Sequence, residues 1–246
     1  MGLRANDGIP RGPYRDAPTN ARVPTALDRV WRRLGEGPYG RRVSIGLGRD
    51  VTVPFATPEA RFPVLLRDCR PDDLAALFPR GCDATAERER ADVLWRFGKV
   101  ESGEQPSRCF VAVDARTDRP CHIQWLTEAG CGARIRRAAG FPALEADEAM
   151  LENAYTPVGC RGLGVMTAAV GLIADLAASL GKRRVVAFID EDNVPSLRGA
   201  ERAGLSRWSV RTRTRYGFGV VRISRFRRLP PIPGRREPGH PEGGFH

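Results

Sequence analysis

Tyr155-Thr156-Pro157-Val158-Gly159-Cys160-Arg161-Gly162-Leu163-Gly164 lies where the hydrophobic period of the chain changes. The residues before it, AMLENAYT (149–156), read as a strand. The residues after it carry apolar side chains at Val165, Met166, Ala169, Val170, Ile173, Leu176, Ala177 and Leu180, with Gly181 beyond. That is helical spacing with a glycine stop. A strand therefore ends, three glycines follow, and a helix begins at once. Glycines let backbone approach a ligand closely. A helix start adds unsatisfied N–H donors and a partial positive charge. Together they suit a phosphate or pyrophosphate, and Arg161 adds a fixed charge at the rim. A tight turn without a ligand explains the same glycines, so the turn alone leaves both readings open. The spacing fits neither G-x-x-x-x-G-K-[ST] nor G-x-G-x-x-G, because no Lys-Ser/Thr pair follows and Thr167 takes the third glycine position.

Working outward, RRVVAFID (183–190) is a continuous apolar run bounded by charges, as a buried central strand should be. NVPSLRGAERAGL (193–205) reads as a helix capped by Asn193 and closed by Gly204. The strand, turn, helix and next strand make a right-handed crossover. Residues 206–226 alternate and give two closing strands. Upstream, FPVLLRDC (62–69) is a strand, Pro71 opens a helix over DDLAAL, and residues 84–98 form a second helix closed by Gly98. RCFVAVDA and PCHIQWLT pair as a hairpin through RTDR (116–119), and residues 128–147 are irregular. The predicted order is β-α-α-β-β-β-α-β-α-β-β, an α/β fold with a mixed sheet flanked by helices. Residues 1–61 form an extension: disordered to 25, a short helix over 26–34, then an arm with a short edge strand at Val51, Val53 and Phe55. The folded domain spans 62–229, and 230–246 is a disordered Pro/Gly tail.

The 246 residues carry a net charge of +11, which invites a nucleic-acid reading. The distribution argues against it. Residues 1–61 hold 11 Arg against 6 acids and residues 207–246 hold 10 Arg against 2, while 62–206 hold 19 basic and 21 acidic residues. The predicted core is therefore near neutral. No segment is apolar enough to span a membrane, since Asp175 breaks the longest stretch, and the first residues lack a secretory apolar core. These features imply a cytoplasmic protein without a membrane partner. The six cysteines form no C-x-x-C pair and the three histidines are scattered, so no metal is expected.

Pro157 to Gly164 resembles the acetyl-CoA loop of the GNAT acyltransferases, commonly P-x-x-R-G-x-G. Asn193-Val194-Pro195-Ser196 through Ala203-Gly204-Leu205 resembles that family's later helix, and the 29 positions from Gly164 to Asn193 also fit. The resemblance is strong over 148–220, weaker over 62–147 and absent at the ends. It implies an acyl-CoA donor, acetyl-CoA first, and an amine acceptor. It implies that backbone N–H groups of Arg161, Gly162, Leu163, Gly164 and Val165 hold the pyrophosphate. Ala154, Tyr155 and Thr156 would bond the pantetheine arm through their main chain, on a strand splayed from its parallel neighbour. Asn193, and Ser196 one turn on, would bond the pantetheine or phosphate arm, although both also suit a plain helix cap. The family's frequent tyrosine, a general acid for the leaving thiolate, falls at Ala200.

Acyl transfer by direct attack needs a base and oxyanion donors. Glu152 is the first candidate base and Glu148 the second; a salt-bridged acid beside an arginine is the competing reading for each. Tyr155 and Tyr216 are candidate acids toward the CoA sulfur, with packing as the alternative for each, and a backbone N–H near Tyr155 would be the oxyanion donor. His122 reads as structural. Trp125 and Phe141-Pro142 are candidate linings of the acceptor pocket. Two other functions stay open: an acyl-CoA sensor without turnover, for which the missing tyrosine speaks, and an Arg-rich nucleic-acid binder. The extension serves as an acceptor lid, a homodimer contact or packing.

Overall fold

The computed structural model describes residues 37–101, 107–130, 140 and 142–230. The expectations for 1–34 and for 231–246 lie outside the described residues. Eight strands form one sheet: β1 (Tyr39–Asp50), β2 (Val64–Asp68), β3 (Ser107–Asp114), β4 (Arg119–Glu128), β5 (Glu148–Tyr155), β6 (Arg184–Asp190), β7 (Ser206–Tyr216) and β8 (Val221–Arg228). Four α-helices are described: α1 (Pro71–Leu77), α2 (Ala84–Glu101), α3 (Val165–Ser179) and α4 (Val194–Arg202). The sheet order is β2-β3-β4-β5-β6-β1-β7-β8. Among the described residues, β5 and β6 form the one parallel pair, with α3 as their crossover. This is the expected mixed α/β architecture, with one strand added at the front.

That strand corrects the reading of the arm. The short edge strand expected at Val51, Val53 and Phe55 is not there. Instead β1 runs over 39–50 and lies inside the sheet, antiparallel to both β6 and β7. Asp50 ends it, because its carboxylate accepts from the Thr52 amide at 2.9 Å and the Thr52 hydroxyl at 2.6 Å, which turns the chain. Val53 and Phe55 lie on the surface. A second correction concerns Gly98. A glycine inside a helix costs roughly 1 kcal/mol relative to alanine but does not by itself end it, and α2 continues to Glu101.

The sheet divides the apolar packing. One face meets α3 and α4 through Leu47, Leu126, Ala149, Leu151, Val170, Ile173, Val185, Ala187 and Leu197. The other meets α1 and α2 through Val111, Ile123, Trp125, Leu77, Phe78, Val93 and Phe97. Fully burying one such aliphatic or aromatic side chain stabilises by roughly 1.5–3 kcal/mol, so both faces hold the sheet between helical layers. Trp125 belongs to this packing. It is 1% exposed and lies 4.7 Å from the Phe97 ring, beneath α2 rather than lining an open pocket. Pro142 is buried, and Phe141 lies outside the described residues.

Residues 51–63 cross the α3 side of the sheet and reach the glycine turn. Phe55 covers Gly204, Thr57 covers Gly171 and Ala60 covers Gly164. The Arg61 amide donates to the Leu163 carbonyl at 2.9 Å, so the arm braces the turn from behind. No described helix is long and apolar enough to cross a membrane.

Candidate active site

β5 and β6 pair only from Glu148↔Arg184 to Leu151↔Ala187. Beyond that they part. Residues 152–155 remain bonded to β4, and Phe188, Ile189 and Asp190 are bonded to β1. The cause is visible in the β4–β5 register. Trp125 pairs with Glu152 but Ile123 pairs with Tyr155, so β5 holds one extra residue. A bulge of this kind bends the strand that carries it. Asn153 takes the left-handed conformation it demands, with φ +52°, which asparagine tolerates better than most residues. Its Nδ2 is buried with no described partner, and Ala154 beside it is exposed.

The open end of this gap meets the glycine turn. Pro157 to Arg161 form one 3-10 turn, with Cys160 N donating to the Pro157 carbonyl and Arg161 N to the Val158 carbonyl. Gly162 and Gly164 then adopt φ +71° and +81°, a region open to glycine at little cost. A Cβ at Gly164 would stand 3.2 Å from Ala60 Cα, so the arm as well as the dihedral requires glycine there; a Cβ at Gly162 meets nothing within 4 Å. Among the described residues, nothing accepts from the amides of Gly162, Leu163, Gly164, Val165 and Met166. They are the donors that a helix start leaves unsatisfied, here at the positive end of a 15-residue helix. This row of open amides adjoins the gap between the two strands.

The strand end is fixed by two bonds to Thr156. Arg161 Nε donates to its carbonyl at 2.9 Å, which ties this exposed arginine to the strand end. His122 Nδ1 lies 2.8 Å from its hydroxyl, and His122 Nε2 lies 3.2 Å from Gln124 Oε1. Since Oε1 only accepts, Nε2 carries the proton and the Thr156 hydroxyl donates to Nδ1. His122 is structural, as expected, and it positions the loop. Burial holds its pKa down at about 4. The unfolded chain therefore binds a proton between the ordinary value of 6.5 and 4 that the folded chain does not. Stability is full above pH 6.5 and falls by about 1.4 kcal/mol per unit toward pH 4, a total of about 3 kcal/mol from this residue. Chemical denaturation at several pH values checks this, and His122→Gln should remove most of that slope.

The expected site residues separate into groups. Ala154, Tyr155, Thr156 and residues 161–165 come together at the gap and turn. Asn193 caps α4, its Oδ1 accepting from the Ser196 amide at 3.3 Å, so both residues occupy the cap reading, and both are at least partly accessible to solvent. Tyr155 is 8% exposed, and its ring stacks on Phe78 at 4.6 Å. Burial raises its phenol pKa. Cys160 packs with Cys121, Ala112 and Leu163. Ala200 is buried in the core beside α3.

Glu152 stands at the start of the parted segment. Arg96 Nη2 donates to its Oε2 at 3.0 Å, Arg96 Nη1 approaches Oε1 to 2.6 Å, and the Thr127 hydroxyl donates to Oε1. Its side chain is 8% exposed. Glu148 is elsewhere. It pairs with Arg184 at 3.1 Å at the closed end of the β5–β6 contact, both side chains almost fully buried, and it accepts from the Glu145 amide. The structure does not bring Glu148 to the gap. Sequence reading missed Arg96 and Asn153. A period of 3.6 places Arg96 on α2, but nothing local says that it faces Glu152, 56 residues away. Among the described residues, no group of three or more His, Cys, Asp or Glu is arranged to hold a metal ion.

The family described as "Acetyltransferase (GNAT) domain" matches residues 64–206. No curated protein matches the sequence. Among solved structures, a GCN5-related N-acetyltransferase from Sphaerobacter thermophilus is 14% identical, with a TM-score of 0.43 over 82% of this chain and 56% of its own. A GNAT-family acetyltransferase from Colwellia psychrerythraea is 11% identical, with a TM-score of 0.45 over 69% and 53%. A tandem GNAT protein from the clavulanic acid biosynthesis pathway is 14% identical, with a TM-score of 0.45 over 70% and 53%. This chain thus spans little more than half of each. The matched domain covers more than half of this chain and includes α1 to α4 and the glycine turn, and on that match the protein belongs to the GNAT acetyltransferase family.

Proposed function

We propose that this protein is an N-acyltransferase that moves an acetyl group from acetyl-CoA to an amine acceptor by direct attack. The observation that carries the reading is the row of open amides at 162–166 where β5 and β6 part. Acetyl-CoA supplies the thioester that the amine attacks. The chain's part is to bind, orient and move protons. The turn amides and the N-terminus of α3 neutralise the diphosphate, and Arg161 adds charge at the rim. The free edge of β5 at Ala154 and Tyr155 bonds the pantetheine arm, and an amide there stabilises the oxyanion. Glu152 takes the amine proton, its carboxylate kept in place by Arg96 and Thr127. Tyr155 keeps its proton at neutral pH, as a donor toward the leaving sulfur must.

Two measurements on the full chain test this. CoA should raise the melting temperature, and acetyl-CoA should be consumed in the presence of some member of a broad amine panel. Stabilisation without turnover across the panel supports the sensor reading, which Ala200 favours because a buried methyl stands where the family often has a hydroxyl. No stabilisation by CoA overturns both readings.

A further inference from the structure

Beyond the gap, the sheet face that carries Glu152 continues onto β6, β1 and β7. Alternation along each strand puts Arg184, Phe188 and Asp190 on that face, then Arg42, Ser44, Gly46 and Gly48, then Ser209, Arg211 and Arg213. The glycines of β1 leave room for large side chains to lie across it. A Cβ at Gly46 would stand 2.9 Å from the Phe188 ring, and one at Gly48 would stand 3.0 Å from Arg184 Nη2.

Arg211 is the unusual member. It is 5% exposed. Its Nη1 donates to the Gly140 carbonyl at 3.1 Å, its Nη2 donates to Ser44 Oγ at 3.2 Å, and its guanidinium lies 4.7 Å from the Phe188 ring centre. Its Nε is buried without an acceptor. Among the described residues, no carboxylate lies within ion-pair distance of it. The nearest link to an acid is indirect: Ser44 Oγ donates to Asp190 Oδ1 at 2.8 Å, and Asp190 is itself 3.4 Å from Arg42. Burial first, and the Arg213 charge second, pull its pKa down to about 10, so it remains a cation at neutral pH. Arg213 is the register partner of Arg42 on the same face. A buried charge without a counter-ion is costly, and buried charges are ordinarily paired.

We propose that Arg211, supported by Arg213 and Arg42, binds an anionic group of the acceptor, a carboxylate or a phosphate, so that the substrate is an acidic amine. This rests on the acyltransferase reading for the amine, but not for the anion. Asp190 and Arg42 are partly exposed and Arg211 is not, so the network runs inward from solvent. Glu152 of β5 and Arg211 of β7 lie on the same sheet face, with β6 and β1 between their strands, and the Glu152 carboxylate favours the Arg211 charge. A planar guanidinium suits a carboxylate or phosphate better than it suits a neutral group.

The test uses the full chain with two probes, succinate and inorganic phosphate, and CoA as a separate arm. At least one anion should raise the melting temperature, and its dissociation constant should weaken at least about tenfold in Arg211→Met. Arg213→Met, which removes a supporting charge, should weaken it less. The probe that binds tells carboxylate from phosphate. The CoA shift should be the same in all three proteins. Equal anion binding in wild type and Arg211→Met, or none in wild type, overturns the proposal. If Arg211→Met does not fold, Arg213→Met decides, and an unchanged anion constant there overturns it. Anion binding without a CoA shift overturns the acyltransferase reading and leaves the anion site standing.

Discussion

Glu152→Gln is expected to lower turnover by about two orders of magnitude, the usual contribution of a positioned general base, while leaving the CoA-induced thermal shift unchanged. The substitution keeps the shape of the side chain and removes its charge. It also leaves Arg96, 11% exposed, without the carboxylate it now faces. Breaking a buried pair by removing one partner costs about 3–5 kcal/mol, so the variant should lose stability as well as activity. The two losses are separable. In Arg96→Met/Glu152→Gln both charges are gone and stability should largely return. If Glu152 acts on the proton, turnover stays low in that double variant. If Glu152 only anchors α2 against β5, turnover returns with stability. Single-turnover rates at saturating acetyl-CoA give the comparison. Normal turnover in Glu152→Gln removes the residue from the mechanism.

The legible part of the protein is the part whose signals are local. The strand, the three glycines, α3, β6 and the Asn193 cap lie within about fifty consecutive residues, and each announces itself by period or by a terminus residue. β1 did not. Its sequence, YGRRVSIGLGRD, carries Val43, Ile45 and Leu47 at alternate positions, but Gly46 among them and Gly40 and Gly48 on either side suggest an irregular arm. Those glycines are there because Arg184 and Phe188 of β6, and Ser209 and Arg215 of β7, occupy the space above them. That is a long-range fact with no local trace. The positive charge near the C-terminus was similarly misleading. Eight of the ten arginines after residue 206 lie in β7 and β8, not in a solvated tail. Arg211, Arg213 and Arg215 recur with period two, which is the signal of one sheet face. A sum of charges hides that signal.

Glu148→Leu is expected to destabilise the fold by about 3–5 kcal/mol, measured by denaturant unfolding. Arg184 is 2% exposed at its side chain, and Glu148 is its one ion-pair partner among the described residues. Burial works against the Arg184 charge and the Glu148 carboxylate sustains it. The Trp208 ring, 4.5 Å away, is a partner that cannot replace a counter-ion in a desolvated site. The pair also joins the first residues of a parallel contact only four residue pairs long, so it holds shut the end of β5 and β6 opposite the gap. Its loss should therefore loosen CoA binding too, through the spacing of the strands rather than through any contact. Removing both charges, in Glu148→Leu/Arg184→Met, should restore most of the stability, because an apolar pair of similar volume is often neutral or better than a buried ion pair. That double variant also decides what Glu148 does. A strut at the closed end predicts that turnover recovers along with stability. A proton acceptor predicts a stable protein that remains slow, and that outcome would move the chemistry from Glu152 to the other end of β5.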